Sequence, residues 1–94
     1  MTNPFRDQEK FMRACDQTTD DYNHGQVALY ANLIDEEVKE FNQAYKQYDH
    51  VEMLDALIDI IVVATGAIHS MGADAEGAWK DRKSTRLNSS HTDI

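Results

Sequence analysis

Apolar residues recur along the chain every three to four positions, with no stretch of strand-like alternation bounded by turn dipeptides, so the pattern predicts helices throughout. Asn3 followed by Pro4 has the form of an N-cap with proline in the first helical position, and Phe5, Met12 and Cys15 follow at helical spacing. This first helix should stop before the polar stretch QTTDDYNHG, with Cys15 as a small packing residue on it. A second helix is predicted from about His24 to Lys46, its stripe of Val27, Tyr30, Ile34, Val38, Phe41 and Tyr45 facing a core. A third begins at Asp49, where Asp49 and Glu52 have capping-box spacing, and runs through Leu54, Leu57, Ile58, Ile61, Val62, Thr65 and Ile68 to about Met71. Gly72 should end it, and Asp74 should cap a fourth helix that contains Trp79.

Two long helices joined by three or four residues must lie antiparallel. The expected fold is therefore all-α, an antiparallel hairpin with a shorter helix on either side. The third helix is apolar around nearly its whole circumference from Leu54 to Ile68, which predicts burial on most sides. At 94 residues a lone domain buries only about 60 to 65% of its unfolded surface. Both considerations point to a homodimer or homotetramer, assembled as a four-helix-bundle-type dimer.

Composition changes in the last part of the chain. Residues 1–80 hold six basic and fifteen acidic side chains, whereas DRKSTRLNSSH, from Asp81 to His91, is basic and rich in Ser and Thr. That run resembles the codon-by-codon translation of a sequencing-library adapter, the alternative being a native basic tail. On the adapter reading the helical domain comprises residues 1–80, the non-native tail residues 81–94, and the natural sequence beyond Lys80 would continue the fourth helix. The net charge of −8 argues against a nucleic-acid backbone or an anionic membrane as partner and favours cations. The start MTNPFRDQEK has no apolar signal segment, and no apolar run is long enough to span a bilayer. A single cysteine, Cys15, excludes a disulfide framework within one chain and fits a reducing cytoplasm.

Charge placement on the two long helices narrows the chemistry. Glu37 falls inside the apolar stripe of the second helix, one turn from Leu33 and one from Phe41, with Glu36 and Glu40 at its edge. On the third helix Glu52, Asp55 and Asp59 share one narrow face at i, i+3 and i+7. Burying such carboxylates unpaired would cost about several kcal/mol each, and no lysine or arginine stands at helical spacing beside Asp55 or Asp59. Taken singly, Glu52 could serve only as a cap and Glu36 could pair with Lys39 at the surface. Taken together, carboxylates on two antiparallel helices call for a hard divalent cation such as Mg²⁺ or Mn²⁺, which prefers oxygen ligands. His24, His50 and His69 lack metal-ligand spacing, and the absence of Glu-x-x-His disfavours a di-iron bundle.

The segment LIDEEVKEF, with Glu36-Glu37-Val38-Lys39-Glu40, resembles the EExxE motif of the MazG-like and phosphoribosyl-ATP pyrophosphohydrolase-like superfamily. That family carries ExxD on a second helix, and two registers are open. Glu52-Met53-Leu54-Asp55 matches literally, whereas the apolar run that follows the motif's aspartate comes after Asp59, a register that puts Ala56 where the glutamate would be. The stretch EMLDALIDIIVVATGAIHSMGAD is most similar to the small phage and integron-cassette branch, in which Asp55 stands in for that glutamate. The resemblance spans roughly Gln26 to Trp79.

It implies a Mg²⁺-dependent enzyme that splits a nucleoside triphosphate into monophosphate and pyrophosphate, as in nucleotide-pool house-cleaning. Glu37, Glu40, Asp55, Asp59 and, in one register, Glu52 would hold metal, with Glu36 orienting or deprotonating water. Phe5, Phe11 and Tyr30 would be candidates for stacking on the base. The family's downstream Asn and Lys, which hold phosphate, would lie beyond Lys80. The rival reading is a non-catalytic helical dimerisation module that retains the bundle.

Overall fold

A computed structural model describes the backbone of residues 2–89 and the side chains of residues 2–82. Four helices follow in order, α1 (Pro4–Ala14), α2 (His24–Lys46), α3 (His50–Ser70) and α4 (Ala75–Ser89), and among the described residues there is no strand. The protein is all-α, as the periodicity predicts. No helix among the described residues is long and apolar enough to cross a membrane. Residues 90–94 of the adapter-like tail lie outside the described residues, and α4 runs without a break past Asp81, where the change of composition begins.

Local chemistry sets each helix start. The Asn3 side chain accepts from the backbone N–H groups of Phe5 and Arg6, Asn23 from that of Gln26, Asp49 from that of Glu52 and Asp74 from that of Gly77. The helix ends are tighter. Asp16 (φ 61°), Tyr48 (φ 55°) and Gly72 (φ 69°) take the left-handed conformation just beyond α1, α2 and α3. At Gly72 the requirement is double, because a Cβ there would also stand 2.9 Å from the Asp21 backbone.

The α2 and α3 helices pack along their length as the expected hairpin, α1 lies against α3, and α4 touches the end of α3. Met12, Tyr30 and Val63 form the buried centre, with Leu33, Ile34 and Ala67 packed around it. Tyr30 crosses α3 at Gly66, where an added Cβ would fall 2.2 Å from the ring. Its hydroxyl donates to Gln17 Oε1 at 2.7 Å. The α1–α2 connection is laced to the hairpin by Gln26, whose amide nitrogen donates to Thr18 O and Ser70 Oγ (2.7 and 2.8 Å) while its Oε1 accepts from Thr18 N. Asn23 N donates to Ser70 O, and His69, buried, donates from Nε2 to Phe5 O at 2.8 Å.

Three expectations are corrected. Cys15 is not a packing residue but the exposed C-cap of α1. The stripe on α2 is buried at Tyr30 and half-buried at Val27, Ile34 and Phe41, but Val38 and Tyr45 are exposed and Ala44 takes the inward place at the hairpin end. In α3 only one side is covered within the chain: Ala56, Val63 and Gly66 face inward, while Val51, Leu54, Leu57, Ile58, Ile61 and Val62 are exposed. Two flanking short helices cannot wrap a helix of this apolar girth.

Replacing Gly66 by alanine forces the Tyr30 ring out of its seat. Gly66→Ala should destabilise the chain by roughly 1–3 kcal/mol despite the better helix propensity of alanine. Urea denaturation measures this, and an unchanged or higher midpoint would contradict the packing described.

Candidate active site

Glu37 is the pivot of the acidic group. Its Cβ direction is fixed by the α2 stripe, which brings the side chain half-buried into the α2–α3 seam, and Oε1 is buried with no hydrogen-bond partner. Its carboxyl titrates above the ordinary carboxylate range, first because burial penalises the charge and then because Glu40, Asp59, Glu36 and Asp55 repel it. The structure thus gathers five of the six carboxylates singled out in the sequence. Of these Asp59 is half-buried, and Glu36, Glu40 and Asp55 are exposed at the rim.

Among the described residues no cation offsets this charge. Lys39 pairs with Asp35 at 3.1 Å rather than with Glu36, and among the described residues none of the five carboxylates has an ion-pair partner. Nor, among the described residues, do any three acidic, histidine or cysteine side chains stand close enough together to hold a metal ion as they lie. Like charges without a counter-ion favour rotamers that splay apart, and the exposed members have room to do so. The donors fit a hard divalent cation: all are carboxylate oxygens, and Glu37 Oε1 is an acceptor left empty in the seam.

The remaining candidates are placed differently. Ala56 is buried, 3% exposed, and so takes up the inward position where a glutamate would otherwise lie between Asp55 and Asp59. Glu52 is exposed and faces a cleft of about 290 Å³ near the closed end of the hairpin, lined also by Lys39, Glu40, Gln43, Ala44 and Gln47. Sequence reasoning missed this cleft, although Gln43 and Gln47 continue the acidic stripe three and seven residues after Glu40. Tyr30, considered as a stacking residue, is only 4% exposed with its ring on Gly66, so it offers no open face. Phe5 packs on Trp79 with ring centroids 6.1 Å apart, and Phe11 is exposed. His24 and His50 are surface residues.

The raised Glu37 carboxyl has a thermodynamic consequence. A carboxyl with a folded-state pKa above its unfolded one holds its proton more tightly in the native chain. Stability is therefore highest below the ordinary carboxylate range and falls as pH rises through it to the raised value. Glu37→Gln should raise the melting temperature by about 2–5 °C at neutral pH without divalent cations. The gain should vanish near about pH 4, and a gain that persists in acid would rule out charge as its source.

A family model described as phosphoribosyl-ATP pyrophosphohydrolase matches residues 6–84. No curated protein and no solved structure matches the chain significantly. The matched span takes in nearly all of α1, the whole hairpin with its acidic seam and the first part of α4. The chain belongs to the phosphoribosyl-ATP pyrophosphohydrolase family.

Proposed function

We propose that this chain is a Mg²⁺-dependent hydrolase that cleaves the α–β phosphoanhydride of a nucleoside triphosphate, deoxy or ribo, releasing the monophosphate and pyrophosphate. Membership of a pyrophosphohydrolase family gives the reaction class. The observation that carries the reading further is the unpartnered Glu37 Oε1 amid four other carboxylates, a charge arrangement that an external cation would relieve at neutral pH.

Glu37, Glu40, Asp55 and Asp59 would hold the metal, as oxygen donors contributed from both arms of the hairpin. Mg²⁺, or Mn²⁺ in its place, would supply neutralisation of charge developing on the phosphates and a lowered pKa for water. Glu36, exposed at the rim, orients the attacking water and accepts its proton on a carboxylate oxygen. Glu37 must give up its own proton to act as a donor, so metal affinity falls as pH drops through its raised range. Such a reaction suits removal of unwanted nucleotides from the cytoplasmic pool.

A second copy of the chain would cover the apolar face of α3. Val51 and Leu54 are 77% and 63% exposed, and with Leu57, Ile58, Ile61 and Val62 they make one continuous strip on a helix with no charged residue after Asp59 until its histidine. Two such strips together form a four-helix bundle around the hairpins, which supports a homodimer or a dimer of dimers.

Incubation with Mg²⁺ and a panel of nucleoside triphosphates plus phosphoribosyl-ATP should release pyrophosphate from at least one of them, and a chelator should abolish it. Asp59→Asn should cut kcat/KM by roughly 100-fold or more and remove the rise in melting temperature that Mg²⁺ gives the unaltered chain. Release of pyrophosphate from none of the nucleotides, with no thermal response to Mg²⁺, would leave a non-catalytic helical module as the reading. Ile58→Asp should shift the sedimentation coefficient to that of a smaller species, and an unchanged value would remove α3 from the interface.

A further inference from the structure

Next to the acidic seam lies the cleft bounded by Lys39, Glu40, Gln43, Ala44, Gln47 and Glu52. Glu40 belongs to both, since it acts on the Glu37 carboxyl and also lines the cleft. Along α2, Glu36, Glu40, Gln43 and Gln47 follow at intervals of four, three and four residues, so one face changes from carboxylates to carboxamides towards the closed end of the hairpin. Gln43 and Gln47 stand roughly 5 and 11 Å along the helix from Glu40. A sugar joining a phosphate held at the seam to a base in the cleft spans such an interval.

The lining selects the kind of group. Two carboxylates face one ammonium, and that ammonium is engaged by Asp35, so a phosphate is repelled here. The carboxamides of Gln43 and Gln47 each offer both donors and an acceptor, and buried Ala44 gives a small apolar floor. Mixed donors and acceptors around an apolar floor match the polar edge of a planar heterocycle. Glu52 is free for this role. The backbone N–H of Glu52 binds Asp49, but its carboxylate returns no bond to complete the capping box and has no ion-pair partner among the described residues.

We propose that this cleft is the base-recognition subsite of the pyrophosphohydrolase and that Glu52 is its specificity-determining acceptor, selecting nucleobases that carry an exocyclic amino group. The proposal rests on the triphosphate-hydrolase reading above and takes Glu52 out of the metal set. A carboxylate accepts hydrogen bonds from the amino groups of adenine, cytosine or guanine. Facing the carbonyl oxygen that uracil bears in place of cytosine's amino group, it meets a second acceptor, so the hydrogen bond is lost and the two oxygens repel.

The test compares kcat and KM for ATP, GTP, CTP and UTP, with the Mg²⁺ concentration giving half-maximal rate, in the unaltered chain and in Glu52→Gln. Circular dichroism confirms that the variant is folded. The unaltered chain should favour at least one amino-bearing base over uracil through KM, and Glu52→Gln should erode that preference about tenfold or more while the Mg²⁺ requirement stays the same. A uniform loss of kcat across all four bases with a raised Mg²⁺ requirement would return Glu52 to the metal and overturn the proposal, leaving the hydrolase reading intact. A base ranking that Glu52→Gln does not alter would overturn it in the same way. Absence of pyrophosphate from every nucleotide would overturn both.

Discussion

Repulsion among five carboxylates, lodged where two helices meet, is the constraint around which the molecule is organised. Burial alone makes the Glu37 charge costly, and Glu40, Asp59, Glu36 and Asp55 add to that cost with no cation among the described residues paired to them. Such a seam persists only because the hairpin is held together elsewhere. The stabilising contacts lie towards the other end, where Tyr30 rests on Gly66 and Met12 fills the space between α1 and Val63. Packing at one end thus offsets electrostatic strain nearer the other.

The polar contacts at the packed end reinforce the same division. Ser70, fully buried, donates to Gly66 O and accepts from Gln26, so a hydroxyl inside the core is satisfied on both sides. Gln26 in turn clamps the α1–α2 connection through Thr18, and Gly72 lets the chain pass close to Asp21. These bonds help to settle the register of α2 against α3, which brings Asp59 near enough to Glu37 to repel its charge. A slip of a single residue would rotate the carboxylates away from one another by about 100°.

Much of this was legible from residue pattern. The bounds of α2, the cap residues Asn3, Asp49 and Asp74 and the left-handed Gly72 follow from local rules that depend on near neighbours in the chain. The gathering of Glu36, Glu37, Glu40, Asp55 and Asp59 was legible as well, since helical phase and antiparallel packing are enough to bring them together. Other features depend on which helix lies across from which. Nothing in periodicity distinguishes a tyrosine that stacks on a ligand from one seated on a glycine 36 positions later, as Tyr30 is on Gly66. The exposed girth of α3 misled for a related reason: apolar composition shows that a surface must be covered, not whether the same chain covers it. The cleft at Glu52 went unseen because exposed glutamines on a helix are commonplace, and only the facing arm makes them walls of a cavity.

The left-handed turn at Asp16 that closes α1 leaves Cys15, the single sulfhydryl in the chain, at the solvent boundary. It is not among the residues lining the acidic seam or the Glu52 cleft. A fluorophore or spin label attached there reports on α1 at a unique address, and the behaviour of that helix during turnover becomes observable without engineering a second attachment point.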